Sequence, residues 1–239
     1  MSGPEHDWIT VHRARFAESV DVEAQDFGVP REPSCARLGI DTHLGQDGLP
    51  VMSSKLWGAW SICPSRLVAQ EIFENPTAHF PFLKASVEAW HGLLLPYTHH
   101  GAVNWCGNIE SGTALRLASD PGAGPVAVLT TAAFDSDAPE EVPRILEFLT
   151  NVWRAREHFR SRAGNSGAAL FSPCDELEGI TLSLWDSEAS MVTAAYGAGV
   201  HHDLLKRHRS EPFFDRSSFT RCRVIASSGT WDGNSPFNS

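Results

Sequence analysis

Two histidine doublets, His99-His100 and His201-His202, are the residues of this chain best suited to chemistry. Imidazole titrates near neutral pH and is the commonest metal-ligating side chain, so each doublet reads as a proton-transfer group or a ligand. His201 opens a short helical run, Val200 to Arg209, after a segment broken by Gly197 and Gly199. A histidine on a helix facing an apolar sheet can ligate a haem iron when its other nitrogen is hydrogen-bonded and the pocket is dry. Val200, Leu204 and Leu205 supply apolar surface around it. His202 is turned by about 100° around the helix axis, so only one of the pair can face a given site. A capping or solvent-exposed histidine is the competing reading. His99-His100 follows a predicted strand and precedes Gly101. Its functional reading is a pair of catalytic proton donors lining a pocket; its plain reading is an exposed loop tip. His158 and His208 read as surface residues.

Arg221 alternates with Phe219 on the last predicted strand. An arginine fork suits a cofactor or substrate carboxylate, and a cross-strand salt bridge explains it equally well. Trp57, Trp153 and Trp185 can wall a cofactor or simply pack a core. Eight Trp and thirteen Phe against two Tyr favour wide, rigid, apolar packing. Other patterns are missing from the sequence. It has no GxGxxG, P-loop or Gly-x-Ser-x-Gly, which weighs against nucleotide binding by those routes and against a hydrolase. Its five cysteines are widely spaced with no CxxC or CxxCH, so any haem is bound non-covalently and a structural zinc or disulfide is not expected.

These residues need elements to position them. The second half reads as a strand (Pro125 to Phe134), a helix (Glu140 to Arg162) and two strands (Ala168 to Phe171, Gly179 to Trp185). A helix capped by Asp186, its resumption over Val200 to Arg209, and a last strand (Ser218 to Ser227) follow. That order, β-α-β-β-α-β, is the ferredoxin-like unit. The first half repeats it through strands at Trp8 to Phe16, Cys35 to Thr42, Lys55 to Cys63 and Val87 to Tyr97. Its helices are a weak one near Glu18 to Phe27 and a second at Pro64 to Asn75, continuing in pieces over Phe82 to Ser86. The expected fold is α+β: two ferredoxin-like units, 1–110 and 124–239, joined by a Gly/Asn/Ser-rich linker at 111–123 and fused into a barrel.

Over 239 residues, 42% hydrophobic and 20% charged content describes an ordinary globular protein. A net charge of −10 argues against nucleic acid as a partner. No run approaches the roughly 18 apolar residues of a membrane span, and the polar start, Met1 to Asp7, leaves cytoplasmic residence as the expectation.

The stretches Gly124 to Phe134, Thr181 to Trp185, Ala195-Tyr196 with His201, Phe219 with Arg221, and Gly229 to Pro236 together resemble the spheroidene monooxygenase family. Lys55-Leu56-Trp57-Gly58, Glu88-Ala89-Trp90, Leu95-Pro96 and Trp105 extend the likeness into the first half. The resemblance implies a dimeric α/β-barrel fold akin to aldoxime dehydratases and chlorite dismutases. It also implies haem b held by one helical histidine of the second unit, in register with His201, and His202 is the reserve. Arg221, Trp185, Phe219 and Phe213 are the expected cofactor surroundings, while His99 and His100 are the expected catalytic pair on their imidazole chemistry alone. The implied activity is monooxygenation of an apolar small molecule. Electrons would come from a partner such as a ferredoxin, since the chain has no flavin or iron–sulfur motif; assembly into homo-oligomers is also implied. Phe213 stands where the family usually has Trp, Arg216-Ser217 replace an acidic pair, and Cys222 replaces an aromatic. All are expected near the haem face. They widen the expected substrate from a carotenoid to a small secondary metabolite. Aldoxime-type or nitrogen-group chemistry on the same scaffold, or a cofactor-free monooxygenase or binding protein, are the alternatives.

Overall fold

The computed structural model describes residues 6–20, 35–47, 50–101, 115–173, 178–197, 199, 202–204, 206–207 and 214–237. Eight strands alternate with helices: β1 (Trp8–Arg15), β2 (Cys35–Leu44), β3 (Pro50–Cys63), β4 (Glu88–Gly101), β5 (Val126–Ala133), β6 (Asn165–Pro173), β7 (Glu178–Trp185) and β8 (Arg216–Gly229). The helices are α1 (Arg66–Glu74), α2 (Pro76–His79), α3 (Val142–Arg160) and α4 (Glu188–Tyr196), with a 3-10 turn at Pro81–Ala85. The helix expected near Glu18 to Phe27 falls largely outside the described residues. Among the described residues, no helix is long and apolar enough to cross a membrane.

The strands close into an antiparallel barrel in the order β1-β3-β2-β6-β7-β5-β8-β4. Cut at its two seams, the barrel gives β4-β1-β3-β2 and β8-β5-β7-β6. Both halves have the same internal order, so the expected pair of ferredoxin-like units is present as a fused α+β barrel. The seams are unequal. The β2–β6 ladder runs only from Gly39↔Pro173 to Asp41↔Phe171, whereas β4–β8 runs from Trp90↔Gly229 to Gly101↔Ser218. Arg156 of α3 reinforces the short seam by donating to the carbonyls of Thr42 and Ala168, 3.6 Å from Asp41.

Alternation decides what fills the barrel. Val11, Trp60, Trp90, Leu129, Leu182 and Cys222 point inward and form one buried cluster. One end is plugged by the last loop. Trp231 packs edge-on against Trp90, 5.5 Å between ring centroids, and the buried Arg13 lies 4.5 Å above its ring. Asp232 and Gly233 both have positive φ, which makes the loop a tight primed turn closed by Trp231 and Asn234. Arg13 donates to Asp232, and Glu88 accepts from the Gly233 N–H and the Thr230 hydroxyl. Burial pushes the Glu88 carboxyl up, but these bonds and the Arg15 guanidinium hold it below the usual range. Gly229, at φ 83, lies where a Cβ would run into the Ala89 carbonyl oxygen, so only glycine allows the chain to turn in here. The Gly229 to Asn234 stretch is therefore a barrel plug.

The outer face of the first unit is sealed. Ala14, Phe16, Trp57, Ile72, Phe82 and Leu83 form one continuous buried cluster beneath α1 and the 3-10 turn. At its centre His12 is wholly buried, its Nδ1 lies 2.9 Å from His91 Nδ1, and the Phe80 ring sits 5.2 Å away. Burial holds the His12 pKa well below the ordinary value, helped by the neighbouring His91 and His79, and brings His91 to about 4. Two neutral rings sharing one N–H···N bond satisfy this geometry. His12 Nε2 is buried without a partner, so His12 is the ring that donates from Nδ1, leaving a lone pair rather than an N–H unmatched.

Candidate active site

The outer face of the second unit is built on the same sheet plan and packs differently. Val126, Val128, Thr130 and Ala132 of β5 stand outward, beside Trp185, Ser183, Thr181 and Gly179 of β7 and Arg223, Arg221, Phe219 and Ser217 of β8. Among the described residues, two apolar clusters cover this face. One holds Val126, Val128, Trp185, Met191, Ala194 and Ala195 with Phe159 and Phe219. The other holds Ala132, Phe134 and Phe148 with Ile145, Leu149, Val152 and Phe214. Thr181 and Thr130 belong to neither cluster and form a cross-strand row with Phe219 of the first, each residue only partly buried. Thr130 is the fifth residue of β5, as His12 is of β1.

Helices frame this row. Ser187, not the expected Asp186, caps α4: its hydroxyl accepts from the Ser190 N–H, while Asp186 accepts from the Ser187 hydroxyl. Beyond α4, a Cβ on Gly199 would lie 2.6 Å from His158 of α3. The Asp203 N–H donates to the Gly199 carbonyl, and Arg207 pairs with Glu147 at 2.5 Å. The described residues from 199 to 207 thus run back along α3, from its last turns toward its first.

Sequence-derived candidates fall in several places. His201 and Phe213 lie outside the described residues, and His202 is half-buried. Phe219 and Arg221 share the outer face as their alternation required. Trp185 is 1% exposed, with its indole N–H on Ser183 and the Phe159 ring edge-on at 5.5 Å. Trp57 belongs to the first unit's sealed face. The doublet His99-His100 is not a loop tip, because β4 continues to Gly101 along the long seam. His100 pairs with Phe219 and so stands on the outer face, exposed. His99 pairs with Thr220 and points inward, its Nδ1 2.8 Å from the Thr220 hydroxyl. Burial lowers the His99 pKa, partly offset by a bond with the Gly101 backbone. Cys222, expected near the haem face, faces the barrel interior because it is one residue out of phase with Arg221 and Arg223. Burial there drives its thiol pKa well up.

The cationic end of the row adds residues the sequence did not single out. Arg221 donates to Glu188 at 3.2 Å, and Arg223, one step further along β8, lies 4.0 Å from the same carboxylate. The spacing Phe219, Arg221, Arg223 at every second residue was the available signal for Arg223.

The donor set tests the fit of a haem. Among the described residues no three His, Cys, Asp or Glu side chains gather to hold a bare metal ion. Haem brings its own ring nitrogens and asks of the protein one axial ligand, apolar walls and a partner for its carboxylates. Apolar clusters on the outer face, and the arginines Arg221 and Arg223 beside one of them, fit the last two of those demands. His201 is the ligand the family resemblance assigns.

No family model matches the chain. Spheroidene monooxygenase of Cereibacter sphaeroides is 25% identical over 198 residues, covering 80% of this chain and 56% of that protein. The chain therefore spans little more than half the length of this relative. An aldoxime dehydratase structure superposes with a TM-score of 0.57 at 10% identity, covering 92% of this chain and 82% of that one. A second, in complex with butyraldoxime, gives 0.54 at 8% identity, covering 92% and 83%. These structures share the fold. The chain is a homologue of spheroidene monooxygenase on a fused, dimeric-type α/β barrel.

Proposed function

We propose that this chain is a haem b-dependent monooxygenase that oxidises an apolar substrate at the outer face of its second unit. The observation that carries the reading is the cover of that face by two apolar clusters, with Thr181 and Thr130 in neither. When bound, haem supplies an iron that activates O₂ for transfer of one oxygen atom. His201, in the stretch whose described flanks run along α3, is the residue that would hold the iron. The apolar clusters exclude water, which protects a reactive site from side reactions. Phe219 offers a ring face at the row, and His100, its cross-strand neighbour, is the exposed group placed to deliver a proton. Substrates in view are a carotenoid, as the homologue's name suggests, or a smaller secondary metabolite. A ferredoxin-type partner supplies the electrons.

Haem-loaded protein supplied with reduced ferredoxin, spheroidene and isotopically heavy O₂ tests the reading. One labelled oxygen atom per product molecule, with no product under anaerobic conditions, is the expected result. Turnover that proceeds equally without O₂ contradicts a monooxygenase and favours dehydratase-type chemistry.

A further inference from the structure

Arg221 and Arg223 occupy successive outward positions of β8 and converge on one carboxylate, Glu188 in the first turn of α4. Two guanidinium groups against one carboxylate leave a local positive surplus in a chain of net charge −10. The carboxylate is a weak holder, since Glu188 is 44% exposed and such a pair is largely screened by water. The Arg223 side chain is only 7% exposed and is fixed by donation to the Gly124 carbonyl. Its Nε, the Nε of Arg221 and the Tyr97 hydroxyl are all buried without a hydrogen-bond partner among the described residues. Buried donors left unmatched are costly, and three in one cluster call for an acceptor that the described residues do not provide.

The rings around the cluster set its chemistry. Arg223 lies 5.4 Å from the Tyr97 ring and Arg221 5.4 Å from the Phe219 ring, which hold both forks in place. Burial pushes the Tyr97 phenol up to about 12, so it remains a donor at neutral pH. The partly buried Phe219 packs with the buried Val128 and Met191, so apolar groups adjoin the cluster. Glu188 shows that a carboxylate fits, and an arginine fork matches that group in two-point fashion.

We propose that Arg221, Arg223 and Tyr97 form a receptor for the carboxylate of an otherwise apolar ligand, with Glu188 as the internal carboxylate that competes for it. The placement of the ligand's apolar body along Phe219 rests on the functional reading above. The carboxylate belongs either to a porphyrin or to a free organic acid.

Calorimetric titration of the full chain with octanoate, with octanamide as the uncharged control, tests the receptor. Glu188→Gln removes the competitor and tightens octanoate about tenfold, while Arg221→Gln weakens it about tenfold. Octanamide responds to neither, and melting curves confirm that both variants fold. Haem and its dimethyl ester are titrated in parallel. If the carboxylate is the cofactor's, Glu188→Gln tightens haem but not the ester, and haem displaces octanoate. If it is a free acid's, both porphyrins respond alike and octanoate binds alongside haem. Octanoate and haem affinities untouched by both substitutions, or octanamide binding as tightly as octanoate, overturn the proposal. Octanoate responses that persist in a protein unable to bind haem uphold the receptor and overturn the haem reading alone.

Discussion

The two outer faces of the barrel start from one strand plan and end differently packed. On the first, the fifth residue of the opening strand is His12, paired with His91 and roofed by Phe80, so one cluster runs unbroken beneath the helices. On the second, the same strand position is Thr130, which belongs to neither of the two clusters on that face. Across the equivalent ladders His12 is flanked by Ala59 and His91, whereas Thr130 is flanked by Thr181 and Phe219. The two units share one strand plan, and the proposed function assigns the planar ligand to the second of the two faces.

The largest effect expected from this comparison is on the sealed face. Phe80→Ala should cost about 3–5 kcal/mol, because a fully buried ring leaves a cavity that the barrel cannot collapse. Chemical denaturation would measure it, and haem affinity of the folded fraction should be unchanged. A loss under about 1 kcal/mol would mean that the first face is not the rigid half.

Acid should act next. His12 and His91 have folded-state pKa values below their unfolded value, so the unfolded chain binds more protons once pH drops below about 6.5. Their contribution is present above that pH and is lost as pH falls toward the His91 value of about 4. The loss from His91 alone amounts to about 3 kcal/mol, because a tenfold change in proton affinity between the folded and unfolded chain is worth about 1.4 kcal/mol. His91→Gln should reduce the loss of stability between pH values of about 4 and about 6.5, leaving the part due to His12. A variant with the wild-type acid slope would show that the pair titrates normally.

The smallest stability effect belongs to the threonine row. Thr130→Phe should change stability by no more than about 1 kcal/mol, since Thr130 is only partly buried and belongs to neither apolar cluster. Thermal melting checks this. A loss comparable with that of Phe80→Ala would show the second face to be as tightly packed as the first.

Much of the fold was legible because its signals are local. The alternation in β5, β7 and β8 and the turn residues between elements marked the strands, and Phe219 with Arg221 shared a face by simple period two. What escaped depends on distant partners. His12 and His91 are 79 residues apart, and only the β1–β4 ladder joins them. The His99-His100 doublet read as a loop because Gly101 follows, but pairing to β8 carries the strand through it. Cys222 read as facing the cofactor until strand phase placed it with Trp60 and Trp90. The Gly229 to Asn234 stretch contributed to a family likeness, and its physical role is closure of the barrel by Trp231.

Absorbance titration of haem onto the purified chain, alongside His201→Ala and Thr130→Phe, tests the central claim most directly. The wild type should develop a Soret band that saturates, His201→Ala should lose it or shift it to a weakly held form, and Thr130→Phe should bind at least about tenfold more weakly while melting normally. Saturation curves that coincide for all three proteins, or a wild type that develops no Soret band, would contradict the account.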